Sequence, residues 1–335
     1  MSNKTRYFVV VSAAILAVGL GTGLVASYIG LPVSVFSSAA GPEELQYVPA
    51  DATVVAYANV RDVMNSQFRA RFRQMEPQSA ERNQFEAQTG INLTEDVDSV
   101  VAAMMTGVKG LSNNPARGAL VLARGRFQAS RLEALAIEHG GTVEEYQGKR
   151  ILSHEGDGSD GKLALGFIEV DLIALGSDAS VRKAIDAHRE NRNIVSNNDM
   201  MRLVAELDNS NAWAVGRFDD IAKEANLPSE IAGQIPTISW FSAAGHINGG
   251  LSGVLKAETK DDESAQNLRD VVRGFLAIAK LQAGSKPGMK EMVDSLQLSG
   301  DGKTVALAFS VPTELLDVIE AMGKAHKNDL QLKQH

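Results

Sequence analysis

There is no cysteine among the 335 residues. Disulfides, thiol nucleophiles, cysteine-ligated zinc and lipid attachment through an N-terminal cysteine are therefore excluded. A basic block is also lacking. The net charge is −8, and removing the first 40 residues takes away two positive charges, Lys4 and Arg6, and no negative one, leaving −10. That balance argues against nucleic acid as a partner. The densest basic stretch, Arg69, Arg71 and Arg73, is interleaved with Phe68 and Phe72. Val63, Met64, Phe68, Phe72 and Met75 fall at helical spacing, which turns the aromatics to a core and the arginines to water.

Catalytic signatures are missing as well. The six histidines, His139, His154, His188, His246, His326 and His335, include no HExxH and no pair at metal-ligand spacing. No Walker motif is present. Gly250-Leu251-Ser252-Gly253-Val254 falls one residue short of a nucleophile elbow and lies at the start of a strand. The run from His154 to Gly161 is dense in oxygen ligands but lacks the terminal bidentate glutamate of a calcium loop, and a hairpin connection accounts for the same residues. His139 and His188 fall near helix C-termini, where a cation suits the dipole. His246, ending a strand beside Gly245, is the one histidine that stands as a pocket candidate. No cofactor, metal or catalytic residue is expected, and the chain reads as non-enzymatic.

What is present begins with an uncharged apolar run from Tyr7 to Leu31, 25 positions long. Such a run spans a hydrocarbon core about 30 Å thick. Lys4 and Arg6 precede it and Glu43 and Glu44 follow it, so the positive-inside bias puts residues 1–6 in the cytoplasm and the rest outside. The run exceeds the roughly 7–15 apolar residues of a signal-peptide core, which favours an uncleaved anchor. Removal after Ala40, with Ser38 and Ala40 as the small residues, is the alternative, and would leave a secreted protein. Gly19, Gly23 and Ser27 form a small-residue stripe suited to helix–helix contact in the membrane. Residues 32–44 read as a linker.

The remainder is long enough for one large domain or two small ones. Strands are expected at Thr53–Val60, Val97–Met105, Gly118–Arg124, Thr142–Tyr146, Arg150–His154, Leu163–Ile168 and Leu172–Leu175, with helices at Val63–Met75, Gln128–Glu138 and Asp178–Arg189. A similar order then begins again. Ala212–Phe218 is a strand and Asp219–Ala225 starts a helix. Thr237–His246 and Leu251–Glu258 form a hairpin about Asn248-Gly249-Gly250. Asp261–Leu281 is the most regular helix, with Leu268, Val271, Val272, Phe275, Leu276 and Ala279 in one apolar stripe. Ser295–Leu298 and Thr304–Ser310 make a hairpin, and Pro312 opens a last helix. The expected fold is α+β. It has an N-terminal transmembrane helix, then two related units, 45–205 and 206–325, of mainly antiparallel sheet with helices packed on one face, and a tail at 326–335. One shared sheet and two separate sheets are both compatible with this order.

Tyr47-Val48-Pro49-Ala50-Asp51-Ala52, running into Val54–Val60, resembles the ectodomain start of bacterial exported or single-anchor envelope proteins of unknown function. Ala174-Leu175-Gly176-Ser177-Asp178 through Ile185 resembles a second phrase of those proteins, a strand ending in glycine-serine before a helix. The resemblance implies a bacterial envelope location and an unknown role and carries over no site residue; the apolar run and its flanking charges place the chain at the inner membrane with a periplasmic or extracellular body. Three roles follow as expectations. The first is a tethered protein-interaction or self-assembly module acting through sheet edges or a helix face. The second is a carrier or sensor of an apolar ligand held between the units. The third is a hydrolase of unfamiliar type, with His246 or a carboxylate strongly perturbed in a cleft.

Overall fold

A computed structural model describes residues 41–66, 80–105, 118–155, 162–207, 210–218, 238–247, 250–283 and 287–311. The apolar run with Gly19, Gly23 and Ser27, the site after Ala40, the arginine-rich stretch, residues 156–161, the helix expected from Asp219 and the helix opened by Pro312 lie outside them. No helix among the described residues is long and apolar enough to cross a membrane.

Twelve strands form one continuous antiparallel sheet. In chain order they are β1 (Ala52–Asn59), β2 (Val97–Met105), β3 (Ala119–Gly125), β4 (Thr142–Tyr146), β5 (Lys149–Glu155), β6 (Lys162–Phe167), β7 (Leu172–Ser177), β8 (Ala212–Arg217), β9 (Ile238–Ile247), β10 (Leu251–Thr259), β11 (Gln297–Ser299) and β12 (Thr304–Val311). Across the sheet they run β11-β12-β10-β9-β8-β1-β2-β3-β7-β6-β5-β4. The helices are α1 (Val60–Asn65), α2 (Ala80–Thr89), α3 (Ala129–Glu138), α4 (Asp178–Arg189), α5 (Asn198–Ala205), α6 (Asp262–Ala283) and α7 (Pro287–Asp294). The chain is α+β, and a single sheet is the alternative realised.

The two parts meet where β1 pairs with β8, Tyr57 opposite Trp213 and Val55 opposite Val215. Tyr57 and Trp213 stack with ring centroids 5.7 Å apart. Directly opposed residues share a face. One row therefore runs Leu122, Val101, Tyr57, Trp213, Ala244, Val254, Ala308 across six strand pairs. A single buried cluster extends along it from Leu45 to Ala244 and takes in Val181, Ala184 and Ile185 of α4 and Met200, Leu203 and Val204 of α5. A second cluster packs Val121, Ala123, Ile173 and Leu175 beneath Val60 of α1, Phe85 of α2 and Leu132 of α3.

Helices thus cover both faces of the N-terminal half, correcting the one-face expectation. The cause is visible in β3 and β7. Leu120-Val121-Leu122-Ala123 and Leu172-Ile173-Ala174-Leu175 are buried without alternation, and an uninterrupted apolar strand needs a layer on each side.

Local chemistry sets several boundaries. Asn59 caps α1, its side chain accepting from the Asp62 amide at 3.0 Å, so the helix starts at Val60 and not at Val63. Ser177 caps α4 in the same way through Ser180. Gln147 and Gly148, both with positive φ, make the two-residue turn between β4 and β5. Both sheet edges are guarded. β4 carries Glu144 and Glu145, and β11 has three residues, which discourages strand addition.

Trp213 is 2% exposed, and its indole Nε1 has no hydrogen-bond partner among the described residues. Trp213→Ala should cost about 3–5 kcal/mol through the cavity it leaves. Trp213→Phe keeps a ring and removes the unpartnered N–H, so its cost should stay below about 1.5 kcal/mol. Urea midpoints separate the two, and equal losses would contradict the packing described at this seam.

Candidate binding surfaces

The N-terminal half is closed by a clasp about Arg124. At the end of β3 its Nε donates to Glu44 Oε1 at 2.6 Å, and its Nη1 reaches both oxygens of Asp171 at 2.9 Å. Glu44 is 4% exposed and also accepts from the Ser99 hydroxyl at 3.1 Å. Tyr47 donates to Glu169 at 2.8 Å and stacks on His188 at 4.2 Å. Burial and then this carboxylate push the Tyr47 phenol well above its ordinary range. Asp51 pairs with Lys183. The two phrases that carry the envelope-protein resemblance are therefore in contact through the Asp51–Lys183 pair. The clasp fixes the 3-10 turn Glu43–Tyr47 on the sheet, so Glu43 and Glu44, placed at the end of the expected linker, belong to the folded body.

Beyond the seam the same face turns polar. Ser242, His246, Ser252, Lys256, Glu258 and Thr304 stand two or more residues along from the members of the apolar row, on its side of the sheet. α5 reaches over them, and a cleft of about 300 Å³ lies between. Its floor includes Trp240, Ser242 and Thr304, and its wall is an ion quartet. Arg202 holds Glu258 in a two-pronged pair at 3.0 and 2.9 Å and touches Glu206 at 3.5 Å, while Lys256 reaches Glu206 at 3.0 Å. The hydrogen bond to Glu258 raises the Arg202 value above its ordinary one. Two cations meet two carboxylates, so the quartet is internally matched, and the cleft is small, open and polar. Its lining comes from both expected units, Arg202 and Leu203 of α5 from the first and Trp240, Ser242, Lys256, Glu258 and Thr304 from the second.

His246 sits on this polar face, half-buried and opposite Ser252. Its Nε2 lies 3.4 Å from the Ser210 hydroxyl. The near-match to a nucleophile elbow thus places Ser252 beside a histidine, but on a straight strand, and no carboxylate is recorded against His246 among the described residues. Burial alone pulls its imidazole below the ordinary value of 6.5. No three His, Asp or Glu side chains gather as a metal would require among the described residues.

The remaining surface was only half foreseen. α6 is 22 residues long. Its expected single stripe splits in two. Leu268, Val272, Leu276 and Ala279 are half-buried toward β10 and β12. Val271 is 43% exposed, Phe275 68%, Ile278 54% and Leu281 83%. These four recur at spacings of four, three and three residues and form a second, outward stripe. A periodicity count that treats every apolar position as core cannot separate them. The signal available was width, since Val271 through Leu281 holds too many apolar positions for one buried face.

No family model matches the chain. No curated protein matches it. A solved structure, "Structure of crystal form I of TP0453", is similar over 84% of this chain and 98% of its own, with 9% identity and a TM-score of 0.45. A likeness that distant carries no argument.

The lowered His246 value has a defined effect on stability. The folded chain holds the ring neutral and the unfolded chain protonates it more readily. Its contribution is therefore complete above about pH 6.5 and is lost as pH falls through the lowered folded value. Urea midpoints followed from about pH 8 to about pH 5 should fall less steeply for His246→Gln than for the parent chain. Identical slopes would show that His246 does not titrate differently on folding.

Proposed function

We propose that the chain is a membrane-tethered extracytoplasmic protein of the bacterial envelope that acts by binding and assembly, not by catalysis, and that the outer stripe of α6 is the face it binds with. The tether is the apolar run from Tyr7 to Leu31, with cleavage after Ala40 and secretion as the alternative. The observation that carries the binding surface is the exposure of Val271, Phe275, Ile278 and Leu281 on one side of a long helix. Contiguous exposed apolar surface of this kind marks interaction sites. The sheet edges are poor competitors, being short or acidic.

Strand order supports the two-unit reading. In the N-terminal half three strands run in sequence, helix α3 follows, and the returning strands bring β7 against β3 with β4 at the edge. In the C-terminal half β8, β9 and β10 run in sequence, α6 and α7 follow, and β12 returns against β10 with β11 at the edge. An antiparallel β1–β8 join relates the halves as a two-fold would. We read this as an internal duplication, with an added pair of strands in the first unit. α6 then stands where α3 stands. α3 is covered by α2, its Arg131 bonding the Ala87 and Gln88 carbonyls at 2.6 and 3.1 Å, whereas Phe275 and Leu281 on the outer stripe of α6 are 68% and 83% exposed.

The rival roles have less support. A carrier of an apolar ligand between the units needs an apolar cavity there; the strand join is filled by Trp213, Val55 and Val215, and the cleft between α5 and the C-terminal strands is walled by charged side chains. A hydrolase needs a perturbed acid or base in a cleft, and His246 has a serine partner and burial alone to perturb it.

The cysteine-free chain allows a direct test. Single cysteines replace Phe275, Ile278 or, as a control, Val170, which is 99% exposed and lies between β6 and β7, in the full chain, and spheroplasts receive a membrane-impermeant maleimide. Labelling at 275 and 278 should be at least about tenfold slower than at 170, because a bound face is shielded. Equal rates at all three positions would remove α6 as the binding face.

A further inference from the structure

The cleft beneath α5 contains a hydroxyl largely removed from water and left without a partner. Ser242 is 4% exposed and lines the cleft, and its side chain makes no hydrogen bond among the described residues. A buried hydroxyl in that state carries a desolvation cost that a bound polar group would remove. Trp240 stands opposite Glu258 and Glu258 opposite Thr304, while Ser242 stands opposite Lys256. These residues make two adjacent rows on one face of β9, β10 and β12. Arg202, Leu203 and Glu206 close the cleft from the side of α5. We propose that this cleft binds an uncharged sugar, with Trp240 against the C–H face of the ring and with Ser242, Thr304 and the ion quartet bonding its hydroxyls. The site uses no residue of α6 and is independent of the reading of that helix.

The charges decide the class of ligand. Arg202 grips Glu258 with two prongs, and Arg202 and Lys256 both reach Glu206. An anion would have to draw a cation from its carboxylate, and a cation would have to do the reverse. Either exchange leaves a like charge facing the ligand, which opposes binding. An apolar molecule would strip water from the quartet and return no hydrogen bond. A polyol does neither. Carboxylate lone pairs and ammonium N–H groups outnumber the bonds within the quartet. Sugar hydroxyls both donate and accept, so they reach the spare positions while the ion pairs stay closed.

Size and aromatic content agree with this class. A volume of about 300 Å³ is at the low end of ligand-sized pockets and suits a single ring. Trp240 is half-buried, so its indole keeps surface for a ligand. A rigid aromatic plane set against the C–H face of a sugar buries apolar area without taking a hydroxyl from its partner. One wall comes from α5 and the floor from β9, β10 and β12, so the site exists only where these elements are packed together.

The test uses the full chain in phosphatidylcholine vesicles free of sugar-headgroup detergent. It is titrated with neutral hexoses, N-acetylhexosamines and their disaccharides, and in parallel with inorganic phosphate and with lysine. The chain has two tryptophans, and Trp213 is buried at the seam, so a saturable change in intrinsic fluorescence reports Trp240. At least one neutral sugar should give that change with a Kd of about 1 mM or tighter. Ser242→Ala should raise that Kd at least about fivefold, through the lost hydrogen bond. Its urea midpoint should not fall, because the hydroxyl it removes has no partner in the free protein. Calorimetry on Trp240→Leu should show no heat of sugar binding. Absence of a saturable change with every neutral sugar overturns the proposal. So does binding of phosphate or lysine as tight as that of the sugars, or an unchanged sugar Kd in Ser242→Ala.

Discussion

Everything in this chain is arranged about the pairing of β1 with β8. Residues 54–58 find their partners at 212–216, across more than 150 intervening positions. Closing that contact joins two meanders into one sheet and lets a single apolar row run from Leu122 to Ala308. Trp213 is the largest fully buried side chain on that row and sits at the join. Contacts this distant in sequence are slow to form, because loop closure precedes the reward of packing.

From the seam outward the halves diverge. Toward β4 both faces are covered, and Arg124, Glu44 and Asp171 lock the start of the folded body over the finished sheet. Toward β11 one face is polar and one helix faces outward. The first arrangement is packed on both faces of the sheet, with Arg124 held by Glu44 and Asp171. The second leaves surface for a partner. The proposed binding role rests on the exposed side of α6.

Much of the fold was legible in the sequence, because strands with alternating or continuous apolar character and hairpins with Gly-rich turns announce themselves. Val97–Met105 and Asp178–Arg189 fall as expected to the residue. α5 was missed, although Met200, Leu203, Val204 and Leu207 are all buried and follow the helical period. The eight-residue helix was hidden by its asparagine-rich approach, Asn193 and Asn197, which reads as loop and in fact supplies two caps. The double layer over β3 and β7 was available in their unbroken apolar runs. The β1–β8 join was not, because no local pattern specifies a partner so distant. The one candidate site residue among the described residues, His246, lies on a partly buried polar face, while Val271 and Phe275, read as part of a single apolar stripe, are exposed. Hydrophobicity marks both a core and a binding face, and burial alone separates them.

Hydrogen exchange on the full chain tests the β1–β8 join most directly. The join predicts that β1 and β8 exchange equally slowly, as one body. Faster exchange in β8 through β12 than in β1 through β3 would contradict it.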